Sequence, residues 1–211
     1  MTIADSYDRV ADEYVQRIYN ELQHKPLDRQ LLDRFAASLQ ENGLACDLGC
    51  GPGHVARYLH ERGAKVCGID VSPKMVELAR CLNSEIDFSQ GDMLELGVED
   101  EAWAGVAAFY SIIHVSPGEI VRALRELRRV LRPGGLLLLA FHIGEGTIHL
   151  AEWWGKPVCV DFFFYRPHEM ANYLRSVAFD IEEIVEREPY PSVEHPSRRA
   201  YVFARKPKVE A

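Results

Sequence analysis

Leu44-Ala45-Cys46-Asp47-Leu48-Gly49-Cys50-Gly51-Pro52-Gly53-His54 is the stretch of this chain that decides its fold. A strand-like run, Leu44 to Leu48, leads into a loop with three alternate glycines, and a helical pattern from His54 to about Arg62 closes at Gly63. Glycine places no side chain between backbone and ligand and takes dihedrals that other residues avoid. In a doubly wound sheet this loop lies at the carboxyl ends of the strands, where ligands bind. The spacing is G-x-G-x-G with an acid, Asp47, two residues ahead of the first glycine. A dinucleotide fingerprint, G-x-G-x-x-G, requires glycine where this chain has His54. Asp70 ends the next strand, where a carboxylate can accept from both hydroxyls of a ribose, a role that does not discriminate between nucleoside ligands.

Outward from this loop, short β-rich runs alternate with helical patterns, the signature of an α/β fold with a mainly parallel sheet. Lys65 to Asp70 reads as the second strand, and Ser72-Pro73 opens a helix carrying Met75, Val76, Leu78, Ala79 and Leu82. Ile86 to Phe88 and Gly105 to Tyr110 read as the third and fourth strands. Ser116 and Glu119 have capping-box spacing with Pro117 at the first helical position, which predicts a helix starting there. Ile120, Leu124, Leu127 and Leu131 follow at helical period, Arg132-Pro133-Gly134-Gly135 ends the run, and Leu136 to His142 reads as a central strand covered on both faces. Before the core, two helical patterns fill residues 5 to 40, the second opening at Lys25-Pro26 and stopping near Asn42-Gly43. After it come Trp153-Trp154, a strand-like Val158 to Tyr165, a helix from Pro167 to about Val177, and two strands, Phe179 to Val185 and Ala200 to Ala204. Residues 1–211 are expected to form a single domain, with 1–42 a helical lid and 145–178 a cap on the core.

The chain has 211 residues, 47% of them apolar and 27% charged, an ordinary globular composition long enough to bury a core without disulfides. No apolar run of about 18 residues exists, which excludes a helical membrane span. The opening Met1-Thr2-Ile3-Ala4-Asp5 has no basic-then-apolar pattern of a secretory leader. Five cysteines, without a C-x-x-C pair, suit a reducing compartment and give no metal site, so a cytoplasmic, metal-free protein is expected. A net charge of −8 argues against nucleic acid as partner. The expected partner is a small molecule, and the chain a monomer or homodimer without a membrane.

Asp47 to Gly53 resembles the first motif of the class I S-adenosylmethionine-dependent methyltransferases, and Asp70 matches their ribose-binding acid. Gly91-Asp92-Met93 resembles their adenine loop, and Arg132 to Gly135 the turn before their fifth strand. Tyr7 to Tyr14 is similar to the amino-terminal helix of the small-molecule branch related to ubiquinone and menaquinone biosynthesis enzymes. The resemblance covers roughly residues 5 to 142 and the closing strands. It implies a Rossmann-like, doubly wound seven-stranded sheet, mainly parallel with an antiparallel last strand, and S-adenosylmethionine as cofactor. Carried onto this chain, it implies that Gly49, Gly51 and Gly53 approach the methionine part and that Asp47 orders their loop or meets its ammonium. Asp70 then takes the ribose, Val71 and Met75 flank the adenine, Asp92 accepts from its amino group, and the Met93 backbone N–H donates to its ring. Tyr110 and Ser111 meet the methionine end, while Tyr7 and Tyr14, seven apart on one helical face, either close over the cofactor or pack as core.

Methyl transfer from a sulfonium needs alignment and exclusion of water more than acid–base chemistry. His114 and His142, at expected strand ends, are candidate general bases, with hydrogen bonding or pocket lining as the alternative. The other histidines, His54 among them, are expected to have surface or lid roles at best. Six aromatic residues between Trp153 and Tyr165 form a candidate wall for an apolar acceptor, or equally an interface or plain core. Phe109-Tyr110-Ser111-Ile112 lacks the Asn/Asp-Pro-Pro-Tyr/Phe motif of adenine or glutamine amino methylation, and no Pro-Cys dipeptide supports cytosine methylation. The expected activity is methyl transfer to O, N or S of a small, partly apolar metabolite. Its alternatives are a non-catalytic cofactor- or partner-binding protein on the same fold and, disfavoured by His54, a nicotinamide-dependent oxidoreductase.

Overall fold

Thr2 starts the first helix by accepting from the Asp5 N–H while Asp5 accepts from the Thr2 N–H, at 3.1 and 2.8 Å, so that two orphan donors are satisfied together. The computed structural model, which describes residues 1–39 and 43–208, carries this helix, α1, from Ile3 to Ile18. A 3₁₀ turn at Glu21–His24 leads to α2, Pro26–Ser38, with proline at its tolerated first position. Asn42, where the second helical pattern was expected to stop, lies outside the described residues.

The core then alternates as the hydrophobic pattern requires: β1 Leu44–Leu48, α3 His54–His60, β2 Lys65–Asp70, α4 Pro73–Leu82, β3 Asp87–Gln90, β4 Trp103–Phe109, α5 Ile120–Val130 and β5 Leu131–His142. A hairpin follows, β6 Thr147–Trp153 and β7 Lys156–Phe163, then α6 Pro167–Ser176, β8 Asp180–Arg187 and β9 Arg199–Arg205. Among the described residues, seven strands form one sheet in the order β3-β2-β1-β4-β5-β9-β8. The pairs among the first five are parallel, while β9 runs antiparallel to both β5 and β8. The expected doubly wound, seven-stranded class is what the structure has.

Strand β5 shows why helices cover both faces. Leu137, Leu139 and Phe141 point into the layer of α5 and α6, while Leu136, Leu138 and Ala140 point into the layer of α2, α3 and α4. All six are fully or almost fully buried, so the strand reads as continuously apolar. The chain order reverses between β1 and β4, which opens a crevice at their carboxyl ends.

Two local expectations are corrected. The helix expected from Pro117 starts at Ile120, because residues 117–119 close a turn through Glu119 N–H to Ser116 C=O, 2.9 Å. Ser116 Oγ donates to the Glu119 carboxylate at 3.3 Å instead of capping a helix. The other correction is a strand the sequence reading missed, β6, which makes a hairpin with β7 apart from the main sheet. Its two-residue turn, Trp154-Gly155, has φ of 52° and 77°, the paired left-handed geometry that lets hairpin strands twist correctly. A tryptophan in that position gives no warning of the turn. Of the span expected to be a cap, only this hairpin leaves the core and lies against α1; α6 packs on the core through Met170 and Leu174.

Candidate functional site

The crevice holds a cavity of about 300 Å³, the lower end of the range for small-molecule sites. Its floor is the turn after β1. Gly49 N–H and Cys50 N–H both donate to Ile69 C=O, at 2.7 and 3.0 Å, which ties the loop to the end of β2. Gly49 has φ of +72°, and a Cβ there would sit 2.2 Å from that of Ser111. Ser111 needs this approach, since its Oγ donates to Leu48 C=O at 2.5 Å and fixes the loop after β4. Gly53 serves differently: its φ is +81°, and a Cβ would strike Phe88 and Asn83 at 2.7 and 2.8 Å, so its bareness is used for packing beneath α3. Gly49 and Gly51 line the cavity; Gly53 is not among the lining residues.

Asp47 is 1% exposed and is also not among the lining residues. Its carboxylate accepts from Ala56 N–H at 2.9 Å, capping α3 from outside because the residue before that helix is a glycine without a capping side chain. Burial pushes its carboxyl up to about 7, against the pull of His54 and this hydrogen bond. Asp70 does line the cavity. It accepts from Gly51 N–H at 2.8 Å and Ser72 N–H at 2.9 Å, and each oxygen keeps a lone-pair direction for a further donor. Burial raises it to about 6, opposed by those N–H donors.

Val71, Asp92 and Met93 line the wall beyond β2 and β3, with Leu94, which sequence reasoning did not single out. Met75 is fully buried behind the wall and is not among its lining residues. On the β4 side stand Tyr110 and Ser111, Tyr110 with φ of 57°, strained for a bulky residue. The Tyr110 hydroxyl turns outward to Tyr201 at 2.7 Å and Asp28 at 3.3 Å. Helix α1 is the roof: Tyr7 and Tyr14 both line the cavity, their rings edge to face at 5.9 Å, and burial raises both phenols. Asp8 ties α1 to the start of α4 by accepting from Ser72 Oγ at 2.5 Å and Lys74 N–H at 3.1 Å.

The two candidate bases part company. His114 lines the cavity; its Nδ1 donates to Asp161 C=O at 3.0 Å, which leaves Nε2 to accept from the Tyr7 hydroxyl at 2.7 Å. Burial draws its imidazole down to about 4, so it is neutral at pH 7. His142 is not among the lining residues; it lies between the rings of Tyr110 and Phe164 with Nδ1 2.8 Å from Ser197 Oγ, and burial beside Arg199 draws it down to about 3. The aromatic run, expected to be a pocket wall, an interface or plain core, is not among the lining residues: Trp153 and Phe162 pack on Tyr7 and His114, bracing α1. His54, expected to be peripheral, is 8% exposed and lines the cavity with Glu21. Neither had a sequence signal beyond position: His54 follows the glycine loop, and Glu21 belongs to a turn whose place over the site depends on α1.

Residues 45–135 match the model of a family described as a methyltransferase domain. That stretch contains the glycine loop, Asp70 and Asp92. That stretch is therefore similar to a methyltransferase domain. The chain is 32% identical over 156 residues to the malonyl-[acyl-carrier protein] O-methyltransferase of Pectobacterium atrosepticum, covering 73% of this chain and 58% of that protein. It is 28% identical over 169 residues to the ubiquinone biosynthesis O-methyltransferase of Xanthomonas axonopodis, covering 72% of this chain and 70% of that one. A methyltransferase structure from Methanosarcina mazei shares the fold with a TM-score of 0.74 at 20% identity, over 82% of this chain and 96% of that chain. The chain spans about half the length of the first curated relatives it matches. Among the described residues, no helix is long and apolar enough to cross a membrane.

The cavity suits S-adenosylmethionine, the cofactor that the resemblance of the glycine loop implies. Gly51 is bare where a Cβ would face the Tyr14 ring at 3.7 Å, and two acids, Asp70 and Asp92, present carboxylates on one side. Hydroxyl and amino donors suit those acceptors.

Proposed function

We propose that the protein transfers a methyl group from S-adenosylmethionine to an oxygen, nitrogen or sulfur atom of a small, partly apolar metabolite. The observation that carries this reading is the single cavity in which the glycine loop, Asp70, Asp92 and the two α1 tyrosines meet. The cofactor's sulfonium supplies a methyl group that is already activated. Asp70 holds the ribose hydroxyls, Val71 flanks the adenine, and Asp92 with the Met93 N–H reads its edge. Gly49 and Gly51 admit the methionine part, while Asp47, Gly53 and Met75 support the wall from behind. Helix α1 covers the cavity and excludes water, which together with alignment of the reacting atoms is the protein's main task in such a displacement. Both relatives described above are named O-methyltransferases, which supports oxygen as the acceptor atom.

Tyr7 and His114 are the polar pair beside which an acceptor would lie. A base is most effective when its pKa is near the working pH, and His114 at about 4 is a weak one. The pair therefore suits an acceptor that arrives as a good nucleophile: the Tyr7 hydroxyl orients it, and His114 Nε2 holds the Tyr7 proton away from the lone pair that reacts. His142, which is not among the lining residues, has no base role in this reading.

Calorimetric titration with S-adenosylmethionine, S-adenosylhomocysteine and NAD, repeated on Asp70→Ala, tests the reading. The expected result is micromolar-range binding of both sulfur ligands, roughly 10- to 100-fold weaker in the variant, and no NAD binding. Unchanged affinity in Asp70→Ala overturns the assignment. Tight cofactor binding without S-adenosylhomocysteine formation over a broad acceptor screen favours a non-catalytic binding protein.

A further inference from the structure

Strands β1 and β2 set two thiols side by side. They are parallel neighbours, and Cys46 and Cys67 are partners in their register. Both side chains belong to the same layer of the core, with Ile69, Leu96 and Trp103. Neighbouring strands stand about 4.8 Å apart, inside the span of about 4.4–6.8 Å between Cα atoms that a disulfide bridges. Both cysteines are free thiols.

The two differ in access. Cys46 is fully buried, whereas Cys67 is partly exposed. Burial pushes the Cys46 thiol up, while a hydrogen bond from Cys46 draws the Cys67 thiol down against burial and the nearby Asp47 and Asp87. The Cys67 sulfur also stands 3.5 Å from Ala45 C=O. A reachable thiol beside a buried second one is the arrangement in which the first meets an oxidant and the second resolves it. As small apolar residues the two would only fill space. Register, shared face and unequal access set them apart from Cys50, which packs in the opposite layer, and from Cys81 and Cys159, exposed on α4 and β7.

We infer that Cys46 and Cys67 are an oxidation site for peroxide, closing reversibly to a disulfide that loosens the crevice. The Cys67 thiolate attacks one oxygen of hydrogen peroxide and the O–O bond breaks. The departing hydroxide takes up the proton that Cys67 gave up, leaving water and a sulfenic acid. The Cys46 sulfur then attacks the Cys67 sulfur, the S–O bond breaks, and hydroxide leaves with the Cys46 proton as a second water. Two electrons pass from the sulfurs to the peroxide, and a reducing dithiol reverses the step by exchange. The placement carries the effect to the cavity. Cys46 precedes Asp47, which caps α3, and Cys67 lies three residues before Asp70. Gly49 N–H and Cys50 N–H donate to Ile69 C=O, and Gly51 N–H donates to Asp70. A sulfur–sulfur bond of about 2.05 Å is shorter than any contact between unbonded sulfurs. Closing it draws β1 and β2 together just ahead of these bonds and shifts the glycine loop against Asp70. The oxidation stands apart from the cofactor reading; its effect on binding rests on that reading.

The test treats the reduced full chain with hydrogen peroxide and reads intact mass, peptide map and S-adenosylhomocysteine affinity by calorimetry. Wild type is expected to lose the mass of two hydrogens in a Cys46–Cys67 link, with fragmentation separating Cys46 from Cys50. Affinity is expected to fall about 5- to 150-fold, the usual span of coupling between two sites, and to return with dithiothreitol. Cys67→Ser is expected to bind like reduced wild type and to keep its affinity through the same treatment. No link, or a link through Cys50, overturns the proposal. So does a Cys46–Cys67 link that leaves affinity unchanged, and so does an equal loss of affinity in Cys67→Ser, which places the cause at another oxidised residue. Reduced wild type that binds no S-adenosylhomocysteine overturns the cofactor reading, while the mass and the peptide map still decide the disulfide.

Discussion

At the residue scale, the two aspartates at the ends of β1 and β2 look alike in sequence and do different work. Asp70 faces the cavity, whereas Asp47 faces the first turn of α3, and both are buried enough to resist ionisation. Folded Asp47 titrates near 7, against 3.8 for an ordinary aspartate. Between those values the folded state keeps a proton that the unfolded chain has lost, so stability falls as pH rises through the window and levels off above it. Asp70 acts in the same sense up to about 6. His114 and His142 act in the opposite sense, because the unfolded chain protonates below 6.5 where the folded one stays neutral to about 4 and 3. Asp47→Asn isolates one contribution, since an amide oxygen can still accept from Ala56. The variant is expected to gain stability relative to wild type from about pH 4 to about pH 7, with a constant difference above that, in denaturation curves taken across pH. A difference independent of pH would show that Asp47 ionises normally. Gly49 and Gly53 teach the same lesson: their loop was legible, but which glycine makes room for Ser111 and which for Phe88 depends on strands far away in sequence.

At the element scale, the β6–β7 hairpin makes α1 a roof. Trp153 contacts Tyr7 and Tyr14 edge to face, with ring centroids at 5.7 and 6.0 Å, and Ser6 Oγ accepts from Cys159 N–H at 3.0 Å. Aromatic pairs contribute about 0.5–1.5 kcal/mol each beyond the apolar area they bury, and Trp153 makes two such pairs with α1. Trp153→Ala is therefore expected to speed hydrogen exchange of α1 amides roughly 10-fold or more, while β4 and β5 amides keep their protection. Uniform exchange changes across the chain would mean that the hairpin supports the whole fold and not the roof. The α1 tyrosines were visible from their spacing of seven. Their partner was half visible: β7 was read from its aromatic run, but β6 is mostly exposed and its hairpin turn carries no Asn-Gly signal.

At the scale of the whole molecule, a buried ion cluster joins the amino-terminal segment to the last strands. Arg187 on β8 donates to Asp28 on α2 at 2.8 Å and pairs with Glu194, which also meets Lys25 and Arg199 at 3.5 and 3.3 Å. Tyr201 on β9 donates to the same Asp28 at 2.9 Å, and Tyr110 reaches Tyr201 from the cavity side. Removing one partner from such a cluster leaves an uncompensated buried charge, which costs about 3–5 kcal/mol. Arg187→Met is expected to lose that much in urea denaturation. A loss below about 1 kcal/mol would show that the cluster is solvated like a surface pair.

The sequence by itself determined the doubly wound core. Strand–loop–helix alternation, the glycine loop, Asp70 and the continuously apolar β5 are local patterns, each set by the period and burial of residues close together in the chain. Residues 45–135 match a methyltransferase-domain model, and a solved structure at 20% identity shares the fold, in keeping with the resemblance those motifs carry. The tertiary structure alone decided which candidates meet. It put His114 in the cavity and His142 outside the lining, turned the aromatic run into a brace, and brought Glu21 and His54 from opposite sides of the first strand onto one wall. Those outcomes depend on how layers pack across long loops, and a linear pattern has no term for the distance between residues 21 and 54.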